Sequence, residues 1–198
     1  MYFCAGCDMK TCAREMGKEG TYPRLCPTLS PEMKEYLRQY EVPEDRRLAR
    51  AAAICGPDHS ECRILKTIRF AHECGFQKLG LAFCSAVREQ AKAIDRLLRA
   101  EGFAVESVIC KVGHEDKSFL DVPPSCKAMC NPVAQAELMN RQGTELNLVV
   151  GLCVGHDSLF IRHSNAPVTV LAAKDHVYHH APLEYLKEKK LDKDARME

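Results

Sequence analysis

The pattern of apolar and polar positions changes character near residue 77. From Pro31 to about Phe76 the reading is helical. Ser30 followed by Pro31 and Glu32 marks a helix start, with a capping side chain, a proline in the first turn and an acidic neighbour. Pro43, Glu44 and Asp45 open a second helix towards Ile54, and Gly56 and Pro57 interrupt it. A third helix is expected from about His59 to Cys74, closed by Gly75.

From Gln77 onward, strand and helix patterns alternate. Lys78 to Cys84 is a short apolar run suited to a strand buried on both faces. Ser85 can cap the next helix, in which Val87, Ala91, Ile94 and Leu98 fall on one face, and Gly102 closes it. A second strand is predicted at about Ala104 to Val112, a third at Leu146 to Cys153 and a fourth at Val168 to Ala173. Asn131-Pro132 starts a helix to about Gln142, and Asp157 to His163 reads as a short one. Between the second strand and the Asn131-Pro132 helix, 113–129 is a long irregular segment, the kind of loop that carries function or disorder.

This alternation predicts an α/β domain with a small, four-stranded, mostly parallel sheet of Rossmann-like or flavodoxin-like type. A helical segment and an N-terminal cysteine-rich knuckle precede it. The expected divisions are 1–28, 29–76, 77–186 and a charged tail at 187–198.

Charge and composition narrow the function. Of 198 residues, 28 are Lys or Arg and 27 Asp or Glu, a net charge of +1, so no basic excess points to nucleic acid. No apolar run approaches the roughly 20 residues of a membrane span, and MYFCAGCDMK lacks the layout of a secretory signal. A cytoplasmic protein is expected, with a small molecule or metal ion as its partner. In that reducing setting the 12 cysteines point to metal or redox chemistry rather than disulfides.

Residues 1–28 carry four cysteines and little apolar periodicity, so they cannot bury enough side chain to fold unaided. The spacing Cys4-x2-Cys7-x4-Cys12-x13-Cys26 is the most specific signal in the chain. A Cys-x2-Cys pair directs two thiolates at one metal, and two later cysteines complete a tetrahedral set. Pro27 after Cys26 also suits an iron–sulfur cluster, and thiolate softness alone does not choose between zinc and a cluster.

A second constellation follows from topology. In a parallel sheet the ends of strands that feed helices share one edge, where ligands bind. With strand order 2-1-3-4, Cys84 and Cys153 would flank the switch point, with Cys130 close by. A helix start stabilises a thiolate, so Cys130 and Cys153 are candidate nucleophiles, redox thiols or ligands. His156 is a candidate acid/base or orienting group, and Lys174, beside Asp175, an anion partner. Cys84, Cys130 and Cys153 could alternatively bind a second metal in a non-enzymatic, metal-sensing module. Cys55, Cys62 and Cys74 read as packing residues, Cys110 as either core or site, and Cys126 lies near enough to Cys130 to share its ligand. His179 and His180 would point apart in regular structure. No phosphate-binding glycine loop and no common hydrolase motif is present.

The N-terminal cysteine set, Gly80-Leu81-Ala82-Phe83-Cys84, Cys130-Asn131-Pro132-Val133-Ala134-Gln135-Ala136-Glu137 and Gly151-Leu152-Cys153-Val154-Gly155-His156-Asp157-Ser158-Leu159-Phe160 resemble a prokaryotic family called domain of unknown function 1847, described as metal-binding. Ala166-Pro167-Val168-Thr169 and Lys174-Asp175 fit it as well. The resemblance implies metal binding at the N-terminus and an α/β body. It supplies no reaction.

Overall fold

The computed structural model describes residues 2–9, 11–14, 20–56, 59–123 and 128–189. Cys126 and the tail from residue 190 lie outside them. The chain divides into two compact units, 1–57 and 58–198.

The first unit holds short 3-10 turns at Cys4–Gly6, Thr11–Ala13 and Pro27–Leu29, then helices α1 (Met33–Arg38) and α2 (Pro43–Cys55). Pro43 sits at the start of α2 and Glu44 and Asp45 in its first turn, where they complement the helix dipole. Ahead of Ser30, Thr11 alone among the described residues is buried, its hydroxyl donating to Thr21 O at 2.6 Å. The described residues of this stretch form no apolar centre.

The second unit opens with α3 (Arg63–Glu73) and continues β1 (Lys78–Phe83), α4 (Arg88–Ala100), β2 (Ala104–Ile109), α5 (Pro132–Gln142), β3 (Leu146–Val150), α6 (His156–His163), β4 (Val168–Ala172) and α7 (Glu184–Glu188). The strands form one sheet in the order β2-β1-β3-β4, every pair parallel. The expected order holds, and the sheet is wholly rather than mostly parallel. Leu79, Leu81 and Ala82 of β1 and all of β3 are buried, as a strand covered on both faces requires.

Side-chain alternation assigns the layers. Leu81 and Phe83 line a groove with Ala91 and Lys92 of α4, so α4 covers that face. Gly80 points to the other face, where an added Cβ would lie 2.7 Å from Met139 Sδ of α5 and nearer still to Asn147 Oδ1. Only glycine allows that approach. Beneath it, buried Asn147 accepts from Thr144 Oγ1 and donates to Ser164 Oγ, both at 2.8 Å. Helices leaving β1 and β3 on opposite faces open a crevice between the two strand ends.

Three local expectations need correction. Cys84, not Ser85, caps the turn after β1: its sulfur accepts from Ala86 N at 3.5 Å, because the chain first makes a 3-10 turn at Ser85–Val87 before α4 begins. Cys62 is exposed, standing just ahead of α3 rather than packing inside it, whereas Cys55 and Cys74 are buried. Ser30 does not cap α1: its hydroxyl donates to the Glu32 carboxylate and the helix begins at Met33 without a side-chain cap.

Candidate functional site

The C-terminal edge of β1 carries the best-defined chemistry. Cys84 follows the last residue of the strand and is 4% exposed, its backbone N–H donating to Val150 O of β3 at 3.1 Å. Lys174, just past β4, donates from Nζ to Cys84 Sγ at 3.0 Å. With the Ala86 N–H, the sulfur therefore has an ammonium and an amide as partners. Burial alone raises a thiol pKa by penalising the thiolate, yet here the Lys174 hydrogen bond and charge, the Ala86 amide and a hydrogen bond from Cys110 outweigh it. The Cys84 thiol is held below its ordinary value.

Lys174 responds in kind. Its ammonium is shifted upward, chiefly through the hydrogen bond to Cys84 and with help from Cys153. The turn that presents it is well braced. His180 Nδ1 lies 3.1 Å from both Asp175 N and Ala173 O, and can accept from the first or donate to the second according to tautomer. Asp175 Oδ1 accepts from Val177 N and Tyr178 N, both at 2.9 Å. These contacts fix the backbone on either side of Lys174. They also account for His180, whose left-handed φ of 67° sets it in a turn rather than in regular structure.

Cys110 continues β2 and is 2% exposed; its N–H donates to Phe83 O at 2.9 Å. Its sulfur accepts from Ser85 N at 3.4 Å and lies 3.9 Å from Ser85 Oγ. Burial first, then negative charge on Cys130 and Cys84, pushes its thiol up to about 11, so it is neutral at physiological pH.

Cys130 is half-buried one residue ahead of Asn131, whose side chain caps α5 by accepting from Ala134 N at 2.9 Å. Asn131 N in turn donates to Cys110 O at 2.8 Å, which ties the start of α5 to the end of β2. Cys153, also half-buried, helps to raise the Lys174 ammonium, and its carbonyl accepts from His156 N and Asp157 N at the start of α6. His156 is held below its usual value, first by burial and then by the cations Lys111, Lys174 and Lys117, against an opposing pull from Asp157.

The edge thus gathers Cys84, Cys110, Cys130, Cys153, His156 and Lys174, as topology predicted for all but Cys110, whose role stood open. Sequence reasoning ranked Cys84 as a ligand and missed its pairing with Lys174. Lys111, which donates to Ala128 O and adds positive charge, went unnoticed, although a cation beside Cys110 in the sequence was a signal. Gln135 was also missed. Fully buried on α5, it donates from Nε2 to Val108 O at 2.7 Å, while its Oε1 has no partner among the described residues.

Cys4, Cys7, Cys12 and Cys26 all lie in the first unit, Cys4 and Cys12 exposed and Cys7 and Cys26 half-buried. Cys7 N donates to Cys4 O at 3.2 Å, closing the Cys-x2-Cys turn. Their sulfurs are of the type that holds zinc or a cluster. Among the described residues, however, no three Cys, His, Asp or Glu side chains are arranged to hold a metal ion, so no chemical step is assigned to one. Among the same residues no helix is long and apolar enough to cross a membrane.

Comparison with known proteins adds a lineage. An uncharacterised protein of Methanocaldococcus jannaschii is 33% identical over 185 residues, covering 89% of each chain. No solved structure matches. The family model described as a protein of unknown function, DUF1847, matches residues 26–171, a stretch that includes Cys84, Cys110, Cys130, Cys153 and His156 and ends shortly before Lys174. The chain belongs to the DUF1847 family.

Proposed function

We propose that this protein acts through a thiol site at the C-terminal edge of its sheet, performing redox or sulfur-transfer chemistry on a small molecule. Cys84 is the nucleophilic thiolate, Lys174 its counter-ion and an anchor for an anionic group, and Cys130, Cys153 and His156 line the site. One observation carries this reading: Lys174 Nζ donates to the buried Cys84 Sγ at 3.0 Å. A thiolate is the reactive form of cysteine, and a lysine beside it is a recognised means of keeping it charged. His156, held neutral by its surroundings, can accept a proton from an incoming thiol.

The test is adduct formation. The reduced protein is treated with glutathione disulfide or with thiosulfate, and its tryptic peptides are weighed. The expected products are a mixed disulfide or a persulfide, appearing first on Cys84 and lost in Cys84→Ser. Modification confined to other cysteines overturns the reading.

A second reading concerns the first unit. Residues 1–28 bind zinc or an iron–sulfur cluster through Cys4, Cys7, Cys12 and Cys26, with a structural role. It is supported by four soft donors within 23 residues of a stretch whose described residues form no apolar core. Such sites commonly form only as the metal arrives, binding and folding being one event.

A further inference from the structure

The thiol site contains two sulfurs held by one ladder. Phe83 of β1 pairs with Ile109 of β2, and the next step along both strands places Cys84 opposite Cys110. The ladder extends that far, because Cys110 N donates to Phe83 O at 2.9 Å. Neighbouring strands lie about 4.8 Å apart. That spacing falls within the separation of roughly 4.4–6.8 Å between α-carbons that a disulfide requires. Register also turns both side chains to the same face of the sheet.

From this register, and from the turn after β1, where the consecutive amides of Ser85 and Ala86 donate to Cys110 Sγ at 3.4 Å and Cys84 Sγ at 3.5 Å, we infer that Cys84 and Cys110 form a dithiol/disulfide couple, with Cys84 attacking and Cys110 resolving. The inference rests on the proposed role of Cys84 and adds the second thiol and the substrate class, a small-molecule disulfide.

The steps balance. The Cys84 thiolate attacks one sulfur of R–S–S–R, forming a Cys84–S–S–R mixed disulfide and releasing RS⁻. Cys110 gives up its proton and attacks the Cys84 sulfur, forming the Cys84–Cys110 disulfide and releasing the second RS⁻, which takes up the proton as RSH. One small disulfide is reduced by two electrons and the protein dithiol is oxidised by two.

The other rim thiols are less well placed to resolve. Cys153 follows a strand that is irregular at Val149/Val150 and turns away at Gly151, whose φ is +64°, and its sulfur interacts with Lys174. Cys130 stands before α5, on no strand.

Trypsin places the candidates on separate peptides, 79–88 for Cys84, 100–111 for Cys110, 128–141 for Cys130 and 142–162 for Cys153. The full-length reduced protein is oxidised with glutathione disulfide, quenched and digested without reductant. The expected product is peptide 79–88 joined to 100–111, two hydrogens lighter than the sum and separated again by dithiothreitol. In Cys110→Ser the mixed disulfide on Cys84 should persist and the joined peptide vanish. Cys110→Ala should do the same, which guards against an effect of the serine on local folding. A mixed disulfide on Cys84 that persists equally in the wild type overturns the couple while leaving Cys84 as the nucleophile. Peptide 79–88 joined to the Cys130 or Cys153 peptide overturns it too. Absence of any Cys84 adduct rejects both this inference and the reading beneath it.

Discussion

Lys174 Nζ stands 3.0 Å from Cys84 Sγ, although 90 residues separate the two in sequence. Lys174 follows β4 and Cys84 follows β1, and β3 runs between them. The lysine must therefore span two strand spacings, roughly 9–10 Å of sheet. It can do so because β3 ends at Val150, level with Phe83 and Ala172 of its neighbours, and its chain turns away at Gly151. Sulfur and nitrogen shift each other's pKa in the sense expected of an ion pair, the thiol down and the ammonium up.

His156 gives the site a pH dependence of definite sign. Its folded value lies below the ordinary ~6.5, so below that pH the unfolded chain binds more protons than the native one. Stability is then lost as pH falls through the window between the unfolded and folded values. His156→Gln should flatten this part of the curve. Denaturant unfolding of both proteins at a series of acidic pH values checks it, and parallel curves would count against the assignment.

Gly80 keeps α5 against the sheet. Gly80→Ala would drive a methyl group into Asn147 Oδ1 and Met139 Sδ, disturbing the Thr144–Asn147–Ser164 chain. A destabilisation of about 2–4 kcal/mol is expected, from overpacking plus a weakened buried hydrogen bond. The midpoint of denaturant unfolding reads it, and a change near zero would mean that α5 is free to retreat.

Metal content tests the N-terminal proposal. Protein purified without oxygen should carry one zinc or one cluster per chain, and absorption distinguishes them, since a cluster colours the protein and zinc does not. Cys7→Ser combined with Cys26→Ser should remove the metal and expose residues 1–28 to proteolysis, leaving the sheet intact. Wild-type protein that resists proteolysis there without any metal would refute the proposal.

Much of this architecture was legible because parallel sheets write themselves plainly. Four short strand runs, two of them buried, separated by amphipathic helices allow few arrangements, and the Asn131-Pro132 cap and Gly143 end of α5 were readable residue by residue. The edge on which Cys84, Cys130, Cys153 and Lys174 meet followed from the same logic. What stayed hidden was pairing across that edge. Which thiol faces the lysine depends on where β3 stops and how the 173–180 turn is braced by His180 and Asp175, contacts that no local pattern encodes. Cys110 was ambiguous for a similar reason. Buried cysteines look alike in sequence, and its partner became visible only with the Phe83–Ile109 register.

The central claim is that Cys84 is a thiolate because Lys174 is beside it. Ultraviolet thiolate absorbance, titrated with pH and taken as the difference between wild type and Cys84→Ser, isolates this one sulfur. Ionisation below the ~8.5 of an unperturbed thiol is predicted, moving upward in Lys174→Met as burial acts unopposed. A midpoint at or above the unperturbed value in the wild type, or one that Lys174→Met leaves in place, would contradict it.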